Sequence, residues 1–168
     1  TSTRIWDAEN GNCLLILQDS GTHNNDIHSV KFSHNSSNFF ASSGDGVESW
    51  NLSVNRCIYK RLAKPYHSVV DRYGQYLLSA NSEKAFLTDL NTGVSTELIG
   101  HSRMILSLAI NGDGSLVATG AWDYVAKIWD SKSGKCLLTF NGDKKKITSL
   151  AFSPDGKLLA TAASKSKV

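Results

Sequence analysis

The tripeptide Ile-Trp-Asp occurs twice, at Ile5-Trp6-Asp7 and Ile128-Trp129-Asp130, and Ser49-Trp50-Asn51 stands between them as a third copy. Trp6 to Trp50 is a step of 44 residues; the same phase then gives Thr88 after 38 and Trp129 after 41. The next such position falls near residue 170, just past Val168. A recurrence of this length constrains the fold more than any single motif. Each unit is one supersecondary element, and it buries its faces only by stacking on its neighbours.

Cys13, Cys57 and Cys136 each follow their tryptophan by seven residues, and Ser95 follows Thr88 by the same step. A disulfide or a zinc site needs thiols that converge in space. Residues at one repeat position are instead held apart, one per unit, and there is no C-x-x-C pair. The cysteines are expected to be small, half-buried strand residues. Three unpaired thiols fit a reducing compartment, cytoplasmic or nuclear.

The chain of 168 residues is 40% hydrophobic and 20% charged, the balance of a globular protein. A net charge of +3 is too small to imply nucleic acid by itself. No apolar run approaches the roughly 18 residues that cross a bilayer, so no membrane partner is expected. No signal peptide is expected, and the opening Thr1 in place of Met reads as a segment or a processed chain.

Between the tryptophans the pattern is short strands with turns. Residues 27–32 alternate apolar and polar with period two, residues 105–110 and 147–152 repeat the role, and 66–70 is a weaker copy. Each is followed by a turn: Ser33-His34-Asn35-Ser36, Asp71-Arg72-Tyr73-Gly74, Asn111-Gly112-Asp113-Gly114 and Ser153-Pro154-Asp155-Gly156. Second strands follow at 39–43, 75–79, 116–120 and 158–162. The third strand carries the tryptophan, and the fourth starts at the cysteine, at 13–17, 57–61, 95–99 and 136–140. No helix, linker or low-complexity segment stands out. Four antiparallel strands per unit of about 41 residues is the layout of a propeller blade.

Gly100-His101, then Leu116-Val117-Ala118-Thr119-Gly120, Asp123 and Ile128-Trp129-Asp130 resemble the signature of the WD-repeat (WD40-type) β-propeller family. The resemblance implies an all-β fold of four-stranded antiparallel blades. It also implies a structural tetrad of His101, Thr119, Asp123 and Trp129, joined by hydrogen bonds. The unit around Trp50 supplies His23, Ser42, Asp45 and Trp50 for the same places. The unit around Thr88 keeps only Ser79 and offers Glu83, and the last has Gly142-Asp143, Thr161 and Lys165.

The expected organisation is a half blade at 1–20 (strands three and four), blades at 21–64, 65–100 and 101–140, and a half blade at 141–168 (strands one and two). That is a partial arc, read as a segment of a longer propeller. The alternatives are a homodimer of two copies closing an eight-bladed ring, and a self-closed ring of four.

His101, Thr119 and Asp123 are base, nucleophile and orienter by residue type. His23, Ser42 and Asp45 recur in the same phase, which structure explains and catalysis does not, so no enzyme and no cofactor is expected. His28, His34 and His67 share no spacing and read as ordinary histidines rather than metal ligands.

By family analogy, the loops from fourth to first strands and the turns from second to third share the upper face, where partners bind. Trp122 lies there, out of register with the repeat, with Tyr124, Arg103 and Met104 nearby, a composition typical of interface hot spots. Lys144, Lys145, Lys146, Lys165 and Lys167 come from the loop and turn of one blade and are expected to converge. They would attract acidic or phosphorylated peptide, or a phosphate backbone. The expected function is a non-catalytic scaffold for protein or peptide segments. The alternative is a phosphate or nucleic-acid contact within a ribonucleoprotein or chromatin assembly, less favoured because no aromatics interleave the lysines to stack bases.

Overall fold

The computed structural model describes residues 2–18, 27–33, 36, 38–43, 46–52, 56–61, 67–142 and 144–164. Every regular element among them is a strand. The chain folds as consecutive antiparallel sheets. First comes a pair, β1 (Ser2–Trp6) and β2 (Cys13–Gln18). Three four-stranded sheets follow. The first is β3 (Ile27–Phe32), β4 (Asn38–Ser43), β5 (Gly46–Asn51) and β6 (Arg56–Arg61). The second is β7 (His67–Val70), β8 (Tyr76–Asn81), β9 (Lys84–Asp89) and β10 (Ser95–Leu98). The third is β11 (Ile105–Ile110), β12 (Leu116–Ala121), β13 (Val125–Asp130) and β14 (Cys136–Asn141). The chain ends on another pair, β15 (Lys146–Phe152) and β16 (Leu159–Ser164). In each four-stranded sheet, strand order follows chain order, which is the meander of a propeller blade.

The cores lie between sheets. Leu78, Ala85, Leu87 and Leu98 of the second blade meet Ile105, Val117 and Trp129 of the third. Ala109, Ala118 and Ile128 of the third blade meet Ile147 and Leu150 of the closing pair. Phe40 packs with Val70 and Leu77, and Phe39 with Ile5, Leu15 and Trp50, at the two earlier junctions. Each blade therefore owes its apolar burial to the next one along, and the stack is an arc that does not close into a ring. At Gly120 an added Cβ would lie 2.5 Å from Ile147 Cγ2, so glycine lets β15 seat against the third blade.

The turns explain two repeat features. At the start of each turn between first and second strands, one side chain accepts the backbone N–H five residues on. Ser33 holds Asn38 at 3.0 Å, Asp71 holds Tyr76 at 2.6 Å, Asn111 holds Leu116 at 2.9 Å and Ser153 holds Leu158 at 2.9 Å. The fourth residue of these turns has positive φ, at Gly74, Gly114 and Gly156 and, in the first blade, at Ser36. The aspartate after the tryptophan shapes the turn between third and fourth strands, by accepting nearer backbone N–H groups. Asp7 Oδ1 accepts from the Glu9 N–H at 2.8 Å and Asp130 Oδ1 from the Ser133 N–H at 2.8 Å; Gly11 and Gly134 then turn at positive φ.

The step of seven is a cross-strand register. Trp6 faces Cys13, Trp50 faces Cys57, Thr88 faces Ser95 and Trp129 faces Cys136. A bulge precedes each tryptophan and is absent at Thr88. The expectation of half-buried cysteines is corrected for Cys13 and Cys136, which are free and exposed because the fourth strand is the outermost of its sheet; the side chain of Cys57 lies outside the described residues. β14 is exposed along its whole length, with Leu138 53% and Phe140 44% accessible. The two-stranded sheet beyond it packs chiefly on β11 and β12.

Candidate functional site

The third blade holds a hydrogen-bonded chain through its interior. Trp129 Nε1–H donates to Thr119 Oγ1 at 2.9 Å, Thr119 Oγ1 meets His101 Nε2 at 2.7 Å, and His101 Nδ1 meets Asp123 Oδ2 at 2.8 Å. One proton arrangement satisfies all of it. Asp123, an acceptor only, takes the Nδ1 proton; Nε2 then accepts the threonine hydroxyl proton, which leaves Thr119 Oγ1 free to accept from the indole. Asp123 also accepts from the backbone N–H of Ser102 at 3.0 Å and of Val125 at 3.1 Å. The network thus ties the Gly100-His101 loop, the second strand, the turn and the tryptophan strand together.

Thr119 is fully buried and Trp129 and His101 nearly so. Burial holds the His101 pKa below its ordinary value of 6.5, outweighing the opposing pull of Asp123. The pair is a neutral imidazole bonded to a carboxylate. A folded pKa below the unfolded one means that the folded protein binds the proton less tightly. His101 therefore contributes its stability in full above pH 6.5, and loses it as pH falls from there through the folded pKa. Melting temperature followed from pH 7.5 to 5 is expected to fall, and a His101→Gln variant to show the shallower slope.

Of the other tetrad candidates, His23 and Asp45 lie outside the described residues, as does the side chain of Ser42. Trp50 is held differently from Trp129: its indole donates to Glu48 Oε2 at 3.3 Å, two residues back on the same strand face. In the degenerate blade Thr88 is buried in the tryptophan place and bonds Ser95 Oγ at 3.1 Å. Glu83 stays exposed, its carboxyl held by Ser82 of its own turn. It therefore does not take the buried aspartate place.

The upper end of the third blade gathers three chain segments. The Trp122 N–H donates to Met104 O at 2.8 Å, joining the turn to the loop before β11. The Gly142 N–H donates to Tyr124 O at 2.8 Å, joining the same turn to the loop before β15. The Lys146 ammonium sits 4.9 Å from the centre of the Trp122 ring. Trp122, Tyr124, Met104, Lys145 and Lys146 are half-buried, and Arg103 and Lys144 are exposed. Tyr124 (φ 71°) and Lys144 (φ 51°) are left-handed without being glycine. An added Cβ on Gly142 would lie 2.9 Å from Tyr124 O, so only glycine allows that close approach. Lys165 and Lys167 lie outside the described residues, and with them the expected convergence of the five lysines.

A sequential stack of four-stranded meanders, pinned in one blade by a His–Thr–Trp–Asp network, defines a β-propeller repeat protein. The model of the WD domain, G-beta repeat matches residues 11–47, 93–130 and 134–168, and the chain belongs to that family. It is 29% identical over 129 residues to the "Transcriptional corepressor LEUNIG_HOMOLOG" of Arabidopsis thaliana, covering 74% of this chain and 16% of that protein. It is 34% identical over 71 residues to the "Guanine nucleotide-binding protein subunit beta" of Schizosaccharomyces pombe, covering 41% of this chain and 23% of that one. The chain thus spans less than a quarter of the length of these relatives. A chain in the "Crystal Structure of Mitotic Checkpoint Complex" superposes with a TM-score of 0.75 at 25% identity, over 95% of this chain and 50% of that one. No helix among the described residues is long and apolar enough to cross a membrane.

Proposed function

We propose that this arc is a non-catalytic scaffold that holds protein or peptide segments against its upper-face loops, with Trp122 as the anchor. The observation that carries the reading is the gathering of Trp122, Tyr124, Met104, Arg103 and Lys146 from three chain segments at the end of the blade that holds the His101–Thr119–Trp129–Asp123 network. None of these side chains belongs to the tetrad. A half-buried aromatic with arginine and methionine beside it has the composition that dominates interface energies. Catalysis by the Thr119–His101–Asp123 chain is disfavoured because Thr119 has no access to solvent and its oxygen is already engaged on two sides. The lysine-rich rim suits partners that are acidic or phosphorylated. The free, exposed Cys13 and Cys136 suit a cytoplasmic or nuclear setting. Further blades, from a longer chain or from a second copy in a homodimer, would cover the open apolar ends of the arc.

The second reading is a phosphate or nucleic-acid contact, and the specific observation behind it is the run Lys144-Lys145-Lys146. Captured partners, quantified by mass spectrometry, separate the two. The scaffold reading expects Trp122→Ala to lower partner recovery by about tenfold or more, the effect of a hot-spot truncation. It also expects reversal of Lys144 and Lys145 to glutamate, with Lys146 kept, to leave partners that depend on Trp122 detectable. Loss on reversal alone, with a steep salt dependence, would favour phosphate contacts and count against the scaffold.

A further inference from the structure

We propose that Lys146 sets the sign of charge that the Trp122 anchor accepts: the seat takes an acidic side chain of a protein segment, carboxylate or phosphate, and rejects lysine and arginine. This inference rests on reading the upper face as the binding face. An exposed tryptophan is by itself a good seat for cations, since its ring face attracts ammonium and guanidinium groups. Here that face is already taken by the protein's own ammonium, 4.9 Å from the ring centre. An incoming cation would have to displace Lys146 and then remain in its field.

The surrounding charge points the same way. Arg103 precedes Met104 in the loop bonded to the Trp122 turn, Lys144 and Lys145 precede Lys146, and none of the three has a carboxylate within ion-pair distance among the described residues. Asp123, the acid of the Trp122 turn, offers nothing to a ligand. Its oxygens are engaged by His101 and by the backbone of Ser102 and Val125. The tetrad thus engages the one described negative group of this turn, and among the described residues no carboxylate pairs with these lysines. Geometry holds the arrangement before a partner arrives, because Met104 O, Tyr124 O and the left-handed Tyr124 and Lys144 fix the three segments relative to each other. An acidic side chain beside an apolar one would meet the ammonium and the ring edge together.

The test uses the protein labelled with 5-fluorotryptophan, with the Trp122 fluorine resonance assigned by Trp122→Phe. Four probes are titrated: otherwise identical peptides carrying glutamate, phosphoserine or lysine, and a single-stranded oligonucleotide. The glutamate or phosphoserine peptide is expected to move the Trp122 resonance at concentrations at least about tenfold below any effect of the lysine peptide. Comparison of those two shows which anion is preferred. Lys146→Gln should weaken the acidic peptide, and Lys146→Arg should retain it. A lysine peptide that binds as well as the acidic ones would overturn the assignment of sign while leaving Trp122 as an anchor. No response to any probe would remove the anchor and the proposal with it. An oligonucleotide that outbinds every peptide would overturn the protein-segment partner.

Discussion

Trp129→Ala is expected to lower the free energy of unfolding by about 3–5 kcal/mol, the range for truncating a large buried aromatic. Trp129 is 1% exposed and belongs to the cluster that joins the second and third blades, so its removal opens a cavity between sheets rather than within one. It also deprives Thr119 Oγ1 of the indole donor. Trp129→Phe separates these effects. It keeps most of the apolar contact and loses the hydrogen bond, and should cost only about 1–2 kcal/mol more than a well-packed replacement. Urea unfolding followed by circular dichroism measures both. Equal midpoints for Trp129→Ala and the parent would mean that the blades do not depend on this junction.

His101→Ala should cost about 2–4 kcal/mol, because it leaves two buried partners unsatisfied rather than one. Thr119 Oγ1 loses an acceptor for its proton, and Asp123 keeps a charge with its closest donor gone. The loss should propagate to the upper face, since Asp123 also fixes Ser102 and Val125, on either side of Trp122. Thermal melting checks the stability. The Trp122 resonance checks the propagation, and an unchanged resonance would separate the network from the interaction face. A catalytic role for His101 makes the opposite forecast, an intact melt with a lost activity.

How far the sequence discloses this molecule differs from element to element. The tryptophan phase is legible because a repeat multiplies a weak signal: one Trp-Asp means little, but two, with Trp50-Asn51 in the same phase and turn residues between them, leave few folds open. Thr119, His101 and Asp123 are legible only through the family resemblance, because spacings of 18 and 4 residues along strands and turns reveal no contact by themselves. The step from tryptophan to cysteine is visible as a number. Its meaning, a pair facing each other across a hairpin of two strands, emerges from the register. The exposure of Cys13 and Cys136 is not legible, because strand alternation says nothing about which strand of a blade is outermost.

Two other features escape for a related reason. The bond from Trp50 to Glu48 depends on side-chain direction within one strand, where several partners were equally close in sequence. Lys146 on Trp122 is a contact between consecutive blades, 24 residues apart, and neither residue has a repeat counterpart that would flag it. A sign was available in Gly142, whose place in an otherwise lysine-rich loop marks the close approach of backbone to the Tyr124 carbonyl. Interaction surfaces are where a repeat departs from its own pattern, so periodicity points to them only by their irregularity.

The central claim is that the end of the arc carrying Trp122 is the binding end. Photo-crosslinking tests it most directly, with a benzophenone side chain placed in turn at Ser102 and Lys145 beside the anchor, and at Ser133 in a turn at the opposite end of the blade. The account predicts protein adducts from positions 102 and 145 that vanish in Trp122→Ala, with position 133 largely unreacted. Adducts concentrated at position 133, or adducts at 102 and 145 that ignore Trp122→Ala, would contradict it.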